Sequence, residues 1–316
     1  MKKIILGKTG IEVTELCFGA LPFGPIQKNL KAEEAADILT YALDLGVDFL
    51  DTAQLYKTYE PIRIALSNRK TKPVISTKAK AETYEDMEFA IKEALREMDL
   101  EYIDIFQIHA ARYGADVFER TKGALECLQD YKRMGIIKAI GVSTHNVKLV
   151  EVAALKEEID IVFPIINKVG RGIVGGSVED MKKAISLCEQ NGKGIFLMKI
   201  LGGGTLIDDY NSCLEFGRNL SDNYAIAIGM VSKEEVLYNV KYFNNEKNLE
   251  GIINIINKKK VKVTQNNCIS CGVCIEVCPN HAIKFNDVGK AEIDENICIQ
   301  CAYCIPACKN FSIRIV

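Results

Sequence analysis

The sequence has no long apolar run and no large net charge, and both absences narrow the possible functions. None of its apolar stretches approaches the roughly 20 residues that a helix needs to cross a bilayer. The amino terminus, MKKIILGKTGIEV, has two lysines but an apolar run of only three residues, which is too short for a signal peptide. The net charge is -2, so no electrostatic attraction to nucleic acid or to an anionic membrane is expected. We therefore expect a cytoplasmic protein that binds neither nucleic acid nor membranes.

The twelve cysteines are distributed unevenly over the 316 residues. Four are scattered amid apolar neighbours, where we expect small core side chains. These four are Cys17, Cys127, Cys188 and Cys213. The other eight all lie between positions 268 and 308. In a reducing cytoplasm such a concentration indicates metal binding instead of disulfides.

The carboxyl-terminal tail is an internal repeat. CISCGVCIEVCPNHAI at 268–283 and CIQCAYCIPACKNFSI at 298–313 are identical at eight of sixteen positions, at an offset of thirty residues. This self-similarity indicates a duplicated unit. Each half reads Cys-x2-Cys-x2-Cys-x3-Cys, a spacing that suits an iron–sulfur cube with three thiolates from one turn and a fourth from elsewhere. Zinc is the alternative, but paired Cys-x2-Cys zinc sites commonly have a dozen or more residues between the pairs.

From about residue 261 to 316 the tail resembles the two-cluster bacterial ferredoxins. In that family the fourth cysteine of each run ligates the other cluster, so the resemblance implies two [4Fe-4S] clusters with crossed ligands. One implied ligand set is Cys268, Cys271, Cys274 and Cys308, and the other is Cys298, Cys301, Cys304 and Cys278. Pro279 matches the family's Cys-Pro signature, whereas Lys309 stands at that place in the second run. The alternation in AIKFNDVGKAEID predicts a short two-stranded element, and so small a domain needs its clusters to hold it together.

Eight short apolar segments, rich in β-branched residues, recur through the first 258 residues, and most gaps between them show a helical pattern. They lie at 15–19, 48–51, 73–77, 103–108, 138–143, 160–165, 194–198 and 225–229. Eight strands alternating with helices predict a (β/α)8 TIM barrel at 1–258, followed by a small α+β iron–sulfur domain at 259–316. A doubly wound α/β sheet is the alternative, but no GxGxxG follows an early strand.

Four polar side chains stand at or just after the carboxyl ends of predicted strands, where barrels place their active residues. Asp51 and Tyr56 follow the second strand, Lys78 ends the third and His109 ends the fourth. A buried lysine requires a partner, which Asp51 can supply. The charge of Lys78 is expected to lower the pKa of Tyr56 from about 10. Tyr56 can then donate a proton to a carbonyl oxygen as hydride reaches the carbon, while neutral His109 hydrogen-bonds the same oxygen.

The segments YALDLGVDFLDTAQLY, STK, QIH and IKAIGVSTHN resemble the matching segments of the aldo-keto reductases, and the similarity spans about residues 1–243. On this resemblance Asp51, Tyr56, Lys78 and His109 fall on the family's catalytic tetrad. The initial KKIILGKTGIEVTEL resembles the hairpin that closes the bottom of the family's barrel. The resemblance implies a nicotinamide cofactor, NAD(P)H, across the barrel mouth and a small carbonyl or alcohol substrate.

Some of the cofactor contacts that the resemblance implies are altered. Ser143 matches the serine that touches the carboxamide, but Met198 takes a place that is often aromatic. The turn that would contact the adenosine end of the cofactor has only Lys233 beside Glu234 and Glu235, which argues against strong NADP selectivity. The implied cofactor contacts are Ser143, Asn167, Met198, Lys199, Gly202, Gly203, Gly229 and Asn239.

Two functions of different classes follow. The first is an oxidoreductase that interconverts carbonyls and alcohols, while its two one-electron clusters exchange electrons with the site or with an external carrier. The second is an electron-transfer or redox-sensing protein whose barrel serves as a docking body. Because a flavin handles both one and two electrons, it is a possible cofactor in either case. A purely structural role for the clusters is a third reading.

Overall fold

The computed structural model of the chain describes residues 1–25, 27–111, 113–204, 206–246, 260–278, 281–295, 298 and 304–315. No helix within these ranges is long and apolar enough to cross a membrane. The predicted domain boundary between 258 and 259 lies outside them and stays a prediction.

An amino-terminal hairpin leads into a closed barrel of eight parallel strands. The hairpin strands are β1 (Lys3–Ile5) and β2 (Glu12–Thr14). The barrel strands are β3 (Leu16–Gly19), β4 (Phe49–Asp51), β5 (Val74–Ala79), β6 (Ile103–Ala110), β7 (Ile137–Thr144), β8 (Ile161–Pro164), β9 (Gly194–Leu197) and β10 (Ala225–Gly229). Consecutive strands pair, and β10 closes on β3. Each of the eight predicted segments overlaps one of these strands, and the predicted barrel is confirmed.

Helices follow every barrel strand and cover the outside of the barrel. They are α1 (Ala32–Asp44), α2 (Tyr59–Leu66), α3 (Tyr84–Met98), α4 (Val117–Arg120), α5 (Lys122–Arg133), α6 (Val147–Leu155), α7 (Val178–Gln190), α8 (Tyr210–Arg218) and α9 (Lys233–Phe243). Helix α7 begins with a reciprocal capping box. The Asp180 amide donates to the Ser177 hydroxyl over 3.2 Å, and the Ser177 amide donates to the Asp180 carboxylate over 2.9 Å.

The main core lies between the strands and the helices, and a smaller one fills the barrel interior. In the interior core the rings of Phe163 and Phe196 stack with centroids 3.8 Å apart. The four scattered cysteines are all buried, as predicted for core residues.

The carboxyl-terminal part is a small α+β unit. Its elements are β11 (Val261–Val263), α10 (Val273–Glu276), β12 (Ile283–Phe285), β13 (Ala291–Ile293), α11 (Cys304–Ala307) and β14 (Ile313–Ile315). Strand β11 pairs antiparallel with β14, and β12 with β13. The predicted two-stranded element is therefore present, and its turn contains Gly289 with a φ of 72°.

This unit packs on the barrel mouth through Phe311. The Phe311 ring centroid lies 4.5 Å from Lys199 Nζ, 5.2 Å from the Arg171 guanidinium and 6.2 Å from the His145 ring centroid. At Gly172 a Cβ would lie only 1.9 Å from the Phe311 ring, so this close approach requires glycine. All four barrel residues follow the carboxyl ends of strands, which is where a barrel's active residues are found.

Candidate active site and cluster sites

Lys78 and Asp51 form a buried ion pair at the carboxyl ends of neighbouring strands. Lys78 is 1% exposed, and its Nζ lies 2.8 and 2.6 Å from the two Asp51 carboxylate oxygens. The same Nζ donates to the Thr52 carbonyl over 2.8 Å, and the Ser76 hydroxyl donates to Asp51 over 3.0 Å. Burial alone would lower the pKa of Lys78, but the attraction of Asp51 reverses this effect and raises it. The lysine is therefore held as a cation.

Tyr56 and His109 lie beside this pair. Lys78 Nζ is 5.0 Å from the Tyr56 ring centroid, and the Tyr56 and His109 rings meet edge to face with centroids 6.0 Å apart. Burial raises the pKa of the Tyr56 hydroxyl, and the charge of Lys78 opposes this rise without cancelling it. The prediction of a lowered pKa for Tyr56 is therefore wrong in its net direction. It gave the sign of the Lys78 contribution but left out the cost of burying a phenolate.

His109 is neutral over the whole physiological range. Burial is the main cause, and the charges of Lys78, Lys199 and Lys80 act in the same direction, so that the pKa of His109 falls to about 3. A neutral imidazole donates one hydrogen bond and has no charge to neutralise, as predicted for this residue.

A cavity of about 180 Å³ opens above the ion pair at the barrel mouth. Its lining includes Asp51 and Tyr56 from the predicted tetrad, together with Phe163. Four of the implied cofactor contacts also line it, namely Met198, Lys199, Gly203 and Gly229. Lys199, Gly202, Gly203 and Gly204 have φ values of 59°, 57°, 73° and 94°, so four residues of this turn have a positive φ.

Ser143 suits the amide of a nicotinamide. It lies on β7 opposite His109 of β6, and its buried hydroxyl has no hydrogen-bond partner among the residues that the structure describes. A buried hydroxyl without a partner costs free energy, which a bound carboxamide would recover. The residues at this end of the mouth therefore fit the cofactor that the family implies.

The two asparagines among the implied cofactor contacts form hydrogen bonds with nearby groups of the protein. Asn167 binds the backbone of Arg171 with both ends of its amide, at 2.8 and 2.9 Å. Asn239 donates to the Glu235 carbonyl over 2.8 Å and accepts from the Tyr210 hydroxyl over 3.0 Å. These amides hold a loop and two helices, so a cofactor would have to displace existing bonds to reach them. Gly202 belongs to the same turn as Gly203, and its amide donates to the Lys199 carbonyl over 2.8 Å.

The predicted adenosine end of the mouth is acidic. Glu235 is buried, lines the cavity and accepts a hydrogen bond from the Val231 amide over 2.9 Å. Lys233 points its ammonium at Asp37, 2.7 Å away. Neither arrangement favours a 2'-phosphate.

Four cysteines from both runs surround one small cavity in the carboxyl-terminal unit. They are Cys268, Cys271, Cys274 and Cys308, the set that the ferredoxin resemblance implies for one cluster. Of the other implied set, Cys278, Cys298 and Cys304 belong to the same small core, and Cys301 lies outside the described residues. Among the residues that are described, no three His, Cys, Asp or Glu side chains are arranged around a single metal ion. A four-iron cube separates its thiolates more widely than one ion does.

Backbone amides point at the cysteine sulfurs, as thiolates require. The Ala282 amide donates to Cys278 Sγ over 3.3 Å, and the Ser312 amide donates to Cys308 Sγ over 3.2 Å. These two bonds occupy equivalent places in the two halves of the repeat. Hydrogen bonds to cluster sulfurs stabilise the charge and tune the reduction potential.

Sequence reasoning missed Arg314. It is only 7% exposed and lines the active-site cavity, although it belongs to β14 of the carboxyl-terminal unit. The equivalent residue of the first repeat half is Lys284, which is exposed to solvent. Both are single cations in apolar strands, so no signal in the sequence separates the buried one from the exposed one.

Comparison with known proteins agrees with both parts of this architecture. The model of the aldo/keto reductase family matches residues 15–265, and the model of the 4Fe-4S dicluster domain matches residues 267–311. The uncharacterized oxidoreductase YqkF of Bacillus subtilis is 28% identical over 160 residues, which cover 46% of this chain and 49% of YqkF. The 7-acetyl-epi-neemfruitin B aldo-keto reductase of Melia azedarach is 25% identical over 280 residues, covering 79% of this chain and 82% of that protein. Methylglyoxal reductase DkgA of Escherichia coli is 26% identical, covering 54% of this chain and 64% of DkgA.

Solved structures resemble the barrel. The aldo-keto reductase PA4992 of Pseudomonas aeruginosa superposes with a TM-score of 0.66 at 22% identity, covering 77% of this chain and 94% of that one. AKR11C1 of Bacillus halodurans gives 0.64 at 20% identity, covering 76% and 90%. At these identities the likeness shows the fold alone. The family model, in contrast, spans well over half of the 316 residues, and this protein therefore belongs to the aldo/keto reductase family of oxidoreductases and carries a 4Fe-4S dicluster domain at its carboxyl-terminal end.

Proposed function

We propose that the protein interconverts carbonyls and alcohols at Asp51, Tyr56, Lys78 and His109, using a nicotinamide cofactor, and that two [4Fe-4S] clusters exchange electrons with this site. The observation that carries the proposal is the buried Lys78–Asp51 pair next to Tyr56 at the strand ends. A buried charged pair is costly unless it is fully satisfied, and its place under an open cavity suits catalysis better than packing.

Tyr56 is the proton donor in carbonyl reduction. Tyr56 lines the cavity, and the nearby Lys78 ammonium, 5.0 Å from its ring centroid, stabilises the phenolate left after the proton has moved. His109 donates a hydrogen bond to the same carbonyl oxygen and stays neutral, so that it orients the substrate without competing for the proton. Asp51 holds Lys78 in place. In alcohol oxidation the phenolate of Tyr56 accepts the hydroxyl proton.

Ser143, Met198 and Gly203 are the residues that would hold the nicotinamide end. The chemistry that a nicotinamide supplies when bound is hydride transfer to the carbonyl carbon. Ser143 would offer its hydroxyl to the carboxamide, and the polarizable side chain of Met198, which lines the cavity, would pack against the ring. Glu235 at the far end of the cavity favours NADH over NADPH, because a 2'-phosphate would meet a like charge.

Two clusters match one hydride in electron count, since each cluster carries one electron. Arg314 supports coupling because it lines the same cavity as Tyr56 and interacts electrostatically with Cys308, an implied cluster ligand. A nicotinamide does not readily release single electrons. The exchange therefore needs a flavin at the mouth or an external carrier, and cofactor extraction after anaerobic purification shows whether a flavin is bound.

Anaerobic protein that is mixed with NADH and a panel of carbonyl compounds tests the proposal. We expect turnover that Tyr56→Phe lowers by about 10²- to 10⁴-fold, because the proton donor is lost. NADH binding, followed by its fluorescence, should be unchanged in this variant. Absence of carbonyl turnover across the panel, combined with rapid oxidation of the clusters by carrier proteins, would instead favour the electron-transfer alternative.

A further inference from the structure

The iron–sulfur domain contributes a buried cation to the active-site cavity of the barrel. Arg314 is more than nine-tenths buried and shares the cavity with Asp51 and Tyr56. Its Nε donates to the Phe311 carbonyl over 3.0 Å, which anchors the side chain at one end. Its guanidinium lies close enough to Tyr56 for the two groups to shift each other's pKa.

The charge of Arg314 interacts with Tyr56 and with Cys308, an implied cluster ligand. In the described ranges of the chain, no carboxylate forms an ion pair with Arg314. The two carboxylates of the cavity are engaged elsewhere, since Asp51 binds Lys78 and Glu235 accepts from the Val231 amide. A buried cation without a carboxylate partner is unfavourable unless another anion offsets it, so the cavity suits a bound anion.

We propose that Arg314 binds a carboxylate of the substrate, so that the physiological substrates are oxo acids and the corresponding hydroxy acids. This inference rests on the proposed function and adds the substrate class to it. A guanidinium binds a carboxylate with two parallel hydrogen bonds. These bonds attract the substrate and also orient its carbonyl group.

The cofactor's pyrophosphate is the competing anion, and the position of Arg314 argues against it. The turn that resembles the family's pyrophosphate segment contains Lys199 and Gly203, and both of these residues face the Phe311 ring. Arg314 lines the cavity together with Tyr56, the proposed proton donor, and its charge acts on the Tyr56 hydroxyl, where the reacting carbonyl must bind. An anion held by Arg314 therefore belongs to the molecule whose carbonyl is reduced.

The test compares matched charged and neutral carbonyl compounds in the holoprotein. Pyruvate is paired with methyl pyruvate, and dihydroxyacetone phosphate with dihydroxyacetone. The variants are Arg314→Met, Arg314→Lys and the control Lys284→Met, which removes the equivalent cation of the first repeat half from the protein surface. The visible absorbance of the clusters verifies that each variant retains its iron.

We expect the wild type to prefer pyruvate over its ester. Arg314→Met should lower kcat/KM for pyruvate by about 10- to 100-fold, the usual effect of losing hydrogen bonds to a charged group, and mainly through KM. The ester should change by less than about threefold, since it makes no ion pair with Arg314. Arg314→Lys should restore part of the loss, because lysine keeps the positive charge but cannot form the two parallel hydrogen bonds of a guanidinium. Lys284→Met should behave as wild type.

Calorimetric binding of oxamate and of its neutral amide, oxamide, tests Arg314 without any turnover. Oxamate should bind the wild type at least tenfold more tightly than it binds Arg314→Met, and oxamide should not distinguish the two proteins. This result can stand even if no carbonyl is reduced, so failure of the proposed function and failure of this inference are separable.

Three outcomes would overturn the assignment. Equal losses for acid and ester would make Arg314 a structural residue. Loss of NADH affinity alone would assign it to the pyrophosphate. A preference for dihydroxyacetone phosphate over pyruvate would mean that Arg314 binds a phosphate and not a carboxylate.

Discussion

At the scale of single residues, the buried Lys78–Asp51 pair is central both to the stability of the site and to its proposed chemistry. Lys78→Met leaves the Asp51 carboxylate buried without its partner, and we expect the free energy of unfolding to fall by about 3–5 kcal/mol. The double variant Asp51→Asn/Lys78→Met removes both charges and should recover most of this loss, although it should remain inactive. Urea unfolding monitored by circular dichroism measures both values.

A surface ion pair provides the control for this experiment. Lys148 and Glu151 lie 2.8 Å apart but are largely exposed, so Lys148→Met should change the stability by less than about 1 kcal/mol. If Lys78→Met were no more costly than Lys148→Met, Asp51 would have to be neutral or reached by water, and Lys78 would lose its place in the mechanism.

At the scale of elements, the duplicated turn of the tail has taken two different roles. Phe311 and His281 occupy equivalent places, both with a φ of 52°, and both donate their amide to the carbonyl of the preceding fourth cysteine. His281 is exposed, whereas Phe311 is 7% exposed and packs on the barrel mouth. At this position the second half of the repeat thus faces the barrel, whereas the first half faces solvent.

This asymmetry predicts the effect of a matched pair of variants. Phe311→Ala should lower the free energy of unfolding by about 3 kcal/mol, because it leaves a cavity against Gly172 and Lys199. It should also slow electron exchange between the barrel site and the clusters, measured anaerobically by stopped-flow bleaching of the cluster absorbance. His281→Ala should change neither quantity. Equal behaviour of the two variants would mean that Phe311 does not dock the two parts in solution.

The strands and the positions of the tetrad could be predicted because they are encoded locally. Alternating strands and helices leave few topologies, and the carboxyl ends of parallel strands meet at one mouth. The local hydrogen bonds of Asn167 and Asn239 could not be predicted. A family resemblance does not reveal that these side-chain amides already donate to nearby backbone carbonyls. The docking of Phe311 and Arg314 could not be predicted either, because the repeat does not encode which of its halves faces the barrel.

At the scale of the whole molecule, the barrel and the iron–sulfur unit each have their own core, and both parts line the active-site cavity. The barrel has its own extensive apolar core, whereas the small core of the iron–sulfur unit is built in part from its cysteines. In such a unit the free energy of metal binding is largely folding free energy. The two parts should therefore depend on iron to very different degrees.

Anaerobic removal of iron with a chelator should unfold the tail and leave the barrel folded. Most of the circular dichroism signal should persist, because helices α1–α9 all belong to the barrel. Tyr56-dependent reduction of methyl pyruvate should continue, but the preference for pyruvate should disappear because Arg314 leaves the cavity with its strand. Rebuilding the clusters with iron and sulfide should restore that preference. Loss of the barrel's signal together with the iron would show instead that both cores form one cooperative unit, in which the clusters stabilise the active site as well as supplying its electrons.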